Sequence, residues 1–149
     1  MSDTRADQPF VSPAHPIHVI LAAYPIACFT GAFLTDIAYA ETYEMMWANF
    51  SVWLITAGLV FGALAAIAGI ADYLVYRRQR PRRSASPHSI GNALVLLLSL
   101  ANVFVHSRDA YTSVVPTGLI LSGIVAVLVL VASWLGTTLV YRPRLEGTL

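Results

Sequence analysis

Charge is scarce in this chain of 149 residues. Only 11% are Asp, Glu, Lys or Arg against 57% hydrophobic, and the mean hydropathy is +0.67. So little polar material excludes a water-soluble globular domain and leaves a membrane protein as the class. Lysine is absent altogether, so every fixed positive side chain is one of nine arginines. Cys28 is the single cysteine, which excludes an intrachain disulfide and leaves no thiol pair for iron–sulfur or zinc chemistry. No glycine-rich phosphate loop is present, and the serines lack a histidine and acid partner outside the apolar segments, which sets aside nucleotide-dependent and hydrolytic chemistry. An enzyme is not expected. The first sixteen residues, MSDTRADQPFVSPAHP, lack the basic start and cleavage pattern of a secretory signal, so the first apolar run is expected to remain as a helix.

What is present is length in apolar runs. Four are legible, at about 18–39, 47–76, 88–105 and 115–141, each near or above the ~20 residues that cross a hydrocarbon layer. They predict an all-α, four-helix transmembrane bundle over 17–142, with a polar segment at 1–16 before it and a tail at 143–149. Five arginines (77, 78, 80, 82 and 83) crowd the connection between the second and third runs, and Arg5, Arg142 and Arg144 fall on the same side. Arg108 alone falls on the other, so both termini are expected in the cytoplasm. The basic cluster reads as a topology signal near anionic headgroups; the expected surroundings are the lipid bilayer, and no nucleic acid partner is expected.

Polar side chains in the third run keep to one stripe. At ~100° per residue, His88, Asn92, Ser99, Asn102 and His106 fall within roughly 40° of a line. An unpaired polar group is costly in hydrocarbon, so the stripe is expected to face protein or a cavity. Small residues form seams on the second run (Gly58, Gly62, Ala65, Gly69) and the fourth (Gly118, Ser122, Ala126), a spacing that lets membrane helices approach closely. Asp72 continues the Gly58 seam and is expected to point inward. Tyr39, Tyr43, Trp47 and Tyr111 at one edge, with Tyr73, Tyr76 and Tyr141 at the other, read as interfacial belts.

The halves look alike. His18 leads Asp36 by the same interval that separates His88 from His106, and LVYR recurs at Leu74 to Arg77 and Leu139 to Arg142. Two hairpins of equal orientation would be parallel repeats about an axis along the membrane normal. Sorted by depth, His15, His18, Asp72 and His88 lie near the arginine-flanked side and Asp36, Asn102, His106, Arg108 and Asp109 near the other. Helix rise separates the two levels by roughly 27 Å, too far for one compact site.

Several segments resemble a known family. HPIH at His15 to His18, YPI at Tyr24 to Ile26, TDIAY at Thr35 to Tyr39, the run through Asp72, HSIGN at His88 to Asn92 and SWLGTTLVYR at Ser133 to Arg142 together look like a bacterial four-span membrane family known as a domain of unknown function. The resemblance implies a place in the bacterial inner membrane and recurrent polar positions at His15, His18, Asp36, Asp72, His88 and Asn92. Some members are joined to a Rieske-type iron–sulfur domain, which implies an electron-transfer setting with a redox partner. Many continue after the last VYR with a His-Gly pair, where Arg142-Pro143-Arg144 stands here, and His106 lies outside the family pattern.

Three readings follow from these residues. His18 and His88, at one depth on separate helices, are the ligands expected for the iron of haem b, with Asp72 and Asn92 orienting them and Arg77 or Arg78 near the propionates. His15, His18, His88 and Asp72 alternatively form a metal or proton site. In the third reading the bundle is a scaffold or homo-oligomer component whose polar groups, worth about 1 kcal/mol each, merely join helices; Asp36 would then pair with Arg108 at the rim.

Overall fold

Hydrocarbon offers the backbone no partners, so a chain with runs this apolar satisfies its amides internally, as helices. The computed structural model describes residues 16–76, 86–108 and 113–141. Four helices account for nearly all of them: α1 (Pro16–Thr42), α2 (Met45–Tyr76), α3 (Ser86–His106) and α4 (Leu119–Tyr141). All are long and apolar enough to cross a membrane. Two residues join α1 to α2. Tyr43 takes a left-handed backbone (φ 55°) and its N–H donates to the Tyr39 carbonyl at 2.7 Å, closing the helix so abruptly that α2 returns directly alongside. A π-helical turn, Val114–Gly118, leads into α4.

The distribution of polarity is inverted relative to a protein in water. Trp53, Leu97, Val127 and Trp134 stand on the outside, Trp53 with 74% of its surface exposed, while Asp36, Ser51, Ser99, Asn102, Ser113 and Ser122 are buried. That is the arrangement expected when the solvent is lipid. Each helix packs against its neighbours in chain order and α4 closes against α1, so α1 faces α3 across the bundle. Phe29, Ala32, Ile55, Val95, Val125 and Val129 fill the middle. Tyr39, Ala48 and Val114 form a second cluster toward the end where α1 turns into α2. Tyr39, expected in an interfacial belt, is 1% exposed; its ring closes the core there because the tight turn draws α1 and α2 over it. Tyr43 and Tyr73 do remain exposed.

The small-residue seams are seats for particular side chains. A Cβ on Gly58 would lie 2.5 Å from Phe29 Cε1, and one on Gly62 2.7 Å from Leu96 Cδ2. Close helix approach and ring packing are therefore one feature.

The two hairpins are built alike. Buried positions 25, 29, 32 and 36 of α1 correspond, with one constant offset, to 95, 99, 102 and 106 of α3. On the partner helices, 51, 55, 58, 62 and 65 of α2 correspond likewise to 118, 122, 125, 129 and 132 of α4. Both hairpins run in the same sense, so a pseudo-two-fold axis along the bundle relates them.

Candidate functional site

The stripe on α3 is followed inward by three fully enclosed side chains. Ser99, Asn102 and His106 share one face at helical spacing, and all three are buried. Across from them α1 presents Asp36, with no exposed surface. His106 Nε2 lies 3.0 Å from Asp36 Oδ1, and its Nδ1 lies 3.1 Å from the Asn102 carbonyl one turn back. A carbonyl oxygen only accepts, so Nδ1 carries a hydrogen and donates it. The remaining proton is shared between Nε2 and the carboxylate. Whether it sits on the ring or on Asp36, the pair carries no net charge, which is what permits both groups to be buried.

Polar neighbours surround the pair incompletely. Asn102 Nδ2 donates to Ser122 Oγ on α4 at 2.8 Å, and Thr35 and Ser51 join α1 to α2 through their hydroxyls at 2.7 Å. Among the described residues Asp36 Oδ2, Asn102 Oδ1 and Ser99 Oγ, like Thr30 Oγ1 further back on α1, are buried with no hydrogen-bond partner. The imidazole is held from the far side by Gly118, where a Cβ would come within 2.7 Å of both His106 Cε1 and the Ser113 carbonyl. Arg108, expected near Asp36, is exposed after the end of α3; the carboxylate turns inward to the imidazole instead of outward to the guanidinium, because position 36 faces the bundle axis. Asp109 lies outside the described residues.

The other level is occupied by His18 and His88, in equivalent seats. His18 Nδ1 donates to the Ala65 carbonyl at 2.9 Å, and His88 Nδ1 to the Ala132 carbonyl at 3.0 Å. Each ring lies against a glycine one turn on. A Cβ on Gly69 would be 3.1 Å from His18 Cε1, and one on Gly136 2.8 Å from His88 Cε1. Both rings are half-buried, and each is bonded within its own hairpin.

Asn92 donates to the His88 carbonyl at 2.9 Å. Its Nδ2 is 3.1 Å from Nε2 and 3.4 Å from Nδ1 of the same ring. Near-equal distances to both nitrogens put the amide over the face of the imidazole rather than on the Nε2 lone pair. Asp72 is half-buried, and among the described residues it makes no ion pair with either histidine; the group that orients His18 is the Ala65 carbonyl. Among the described residues no group of three or more His, Cys, Asp or Glu is placed to hold a metal ion. His15, Arg77 and Arg78 lie outside the described residues.

The family model described as "Predicted membrane protein (DUF2231)" matches residues 14–148. The chain belongs to this family. No curated protein and no solved structure matches it. The DUF2231 match covers all four helices, including both histidine seats and the Asp36–His106 pair. Of the site's residues, Thr35 and Ser51 were not singled out from the sequence, and Gly118 and Ser122 were read only as packing. Ser51, Gly118 and Ser122 share one signal, a small or hydroxylated residue at a repeat-equivalent buried position, whereas Thr35 is only half-buried.

Proposed function

We propose that this DUF2231 protein handles protons within the membrane, with Asp36 and His106 as the group that takes up and releases the proton. The observation that carries the reading is the bond between a fully buried carboxylate and a buried imidazole in a lipid-facing bundle. Ionisable groups are costly at such depth, and their pairing marks proton or ion pathways. A scaffold needs only neutral polar contacts to join helices. A carboxylate and an imidazole sharing one proton form a unit that releases that proton and takes it up again with small movement.

The arginine distribution orients the reading. With both termini in the cytoplasm of an inner membrane, the pair lies toward the outer side and the His18 and His88 seats toward the inner. The test is proton movement into liposomes containing the protein and a pH-sensitive dye. Wild type should equilibrate an imposed pH step faster than empty vesicles, and Asp36→Asn and His106→Gln should not. Equal rates for wild type and both variants would end the reading.

A second reading, haem b ligated by His18 and His88 in an electron-transfer role, draws on one observation. A ring that donates Nδ1–H to a carbonyl is oriented to present Nε2 to a metal. A reduced-minus-oxidised absorbance band after purification from haem-supplied cells, lost in His18→Ala or His88→Ala, would support it. Against it, Gly69 and Gly136 make room for the imidazoles themselves.

A further inference from the structure

Polar side chains of the spans settle their hydrogen bonds in two ways. Asn102 and His106 bond to other helices, whereas the half-buried hydroxyls of Thr56 and Ser133 donate to carbonyls one turn back, Val52 at 2.7 Å and Val129 at 2.6 Å, which leaves no donor unmet toward lipid. Asn49 does neither. It is exposed on the outer face of α2, and its amide makes no hydrogen bond among the described residues.

The position lies within the span. Thr35 and Ser51 bond across α1 and α2 at 2.7 Å, so in this antiparallel hairpin Asn49 stands level with Ile37, next in depth to the buried Asp36. It is one turn inside the start of α2 at Met45, and Met46, Phe50 and Trp53 line one open groove with it. Farther along, Val60, Ala63 and Ile67 are exposed on the same face. Positions 46, 49, 53, 60, 63 and 67 fall on the alternating three- and four-residue register by which two parallel helices meet. A face that meets only lipid shows similar spacing, and the amide is the part of it that acyl chains cannot answer.

A primary amide carries two N–H donors and an acceptor oxygen, so it is its own complement. A closed dimer of copies inserted in one sense has its two-fold axis along the membrane normal, which sets each residue near the axis against its counterpart at equal depth. On this face Asn49 would meet its own counterpart. We propose that the outer face of α2 joins two copies of this chain in a parallel, two-fold dimer, in which Asn49 donates to the amide oxygen of Asn49 of the partner subunit. A single asparagine on such a seam fixes register and the number of copies. Asp36 and His106 stay enclosed within each copy, so the dimer stands apart from the proton-handling reading.

The experiment is the monomer–dimer equilibrium of the full chain in liposomes over a series of protein-to-lipid ratios, read by single-molecule photobleaching of a dye at the N-terminus. A dimer is expected. Asn49→Val should raise its dissociation constant about fivefold, the loss of one interhelical hydrogen bond, and Asn49→Gln, which keeps the amide, should raise it less. Leu97→Val, on the exposed face of α3, should leave it unchanged. In chains carrying Cys28→Ser, oxidation should cross-link Met46→Cys and Val60→Cys, which lie on the seam, and not Leu97→Cys. Those cross-links retain Asn49 and carry the test if circular dichroism shows that Asn49→Val does not fold. A monomer at every ratio would overturn the proposal and leave the amide to headgroups or interfacial water. An unchanged dissociation constant in folded Asn49→Val would also overturn it, as would cross-linking through Leu97→Cys in place of the seam positions, which points to another face. Proton movement in the same vesicles bears on none of these outcomes, so either reading can fail alone.

Discussion

Asp36 and His106 stand at equivalent positions of the two hairpins and are bonded to each other, Oδ1 to Nε2 at 3.0 Å. Equivalent residues on α1 and α3 meet only at the pseudo-two-fold axis. Two carboxylates at such a meeting point would repel. An acid on one helix and a base on the other make that position a neutral pair with a proton to share.

The losses from removing the two members should not add. Asp36→Ala leaves His106 Nε2 facing apolar neighbours, and a loss of about 3–5 kcal/mol is expected for breaking a buried pair from one side. The Asp36→Asn and His106→Gln double variant should be less destabilised than the sum of its singles. Thermal unfolding of the four proteins in one detergent gives the coupling, and additive losses would show that the two side chains do not interact.

Gly118→Ala should displace the imidazole. The new methyl would contact His106 Cε1 and the Ser113 carbonyl, both at 2.7 Å, and the backbone oxygen cannot step aside. A loss of about 1–3 kcal/mol is expected, typical of overpacking, together with loss of proton movement in vesicles. Wild-type melting and activity in Gly118→Ala would mean that the ring does not sit there.

The histidine seats should differ in tolerance. A Cβ at Gly136 meets His88 at 2.8 Å, whereas one at Gly69 meets His18 at 3.1 Å. Gly136→Ala is therefore expected to lower the melting temperature more than Gly69→Ala, with His88→Ala relieving most of the difference in the double variant. The opposite order would remove the ring and glycine contact as the reason those positions are small.

Gly58→Ala should be rescued by a smaller partner. Its methyl would lie 2.5 Å from the Phe29 ring, in the packed centre of the bundle. The single variant is expected to lose about 1–3 kcal/mol. Gly58→Ala with Phe29→Leu should recover part of that, measured by unfolding against Phe29→Leu alone.

Much of the fold is legible because lipid simplifies the problem. Apolar runs of sufficient length must become helices, and short connections make neighbours in sequence neighbours in space. The stripe on α3 is readable for the same reason: helical spacing puts Ser99, Asn102 and His106 on one face whatever they touch. The partner of that stripe is not readable. In the sequence Asp36 stands just inside the end of the first apolar run and Arg108 just beyond the end of the third, and an acid with an arginine is the ordinary expectation at a rim. Only the rotation of α1 about its own axis, fixed by Phe29 seated on Gly58 and by the tight turn at Tyr43, brings the carboxylate to the axis.

The sequence by itself determined that this is a four-helix membrane protein and that its polar groups separate into two levels; the likeness of its halves was an expectation from spacing and one repeated tetrapeptide, and the matching buried positions came from the structure. Hydropathy, helical periodicity and residue spacing are local properties, so they survive without coordinates. The tertiary structure alone decided which polar group answers which. It gave His18 and His88 to backbone carbonyls of their own hairpins and Asp36 to His106 across the bundle. Partner choice depends on the rotation and closest approach of separate helices, and those are set by the sum of many small packing contacts that no single stretch of chain contains.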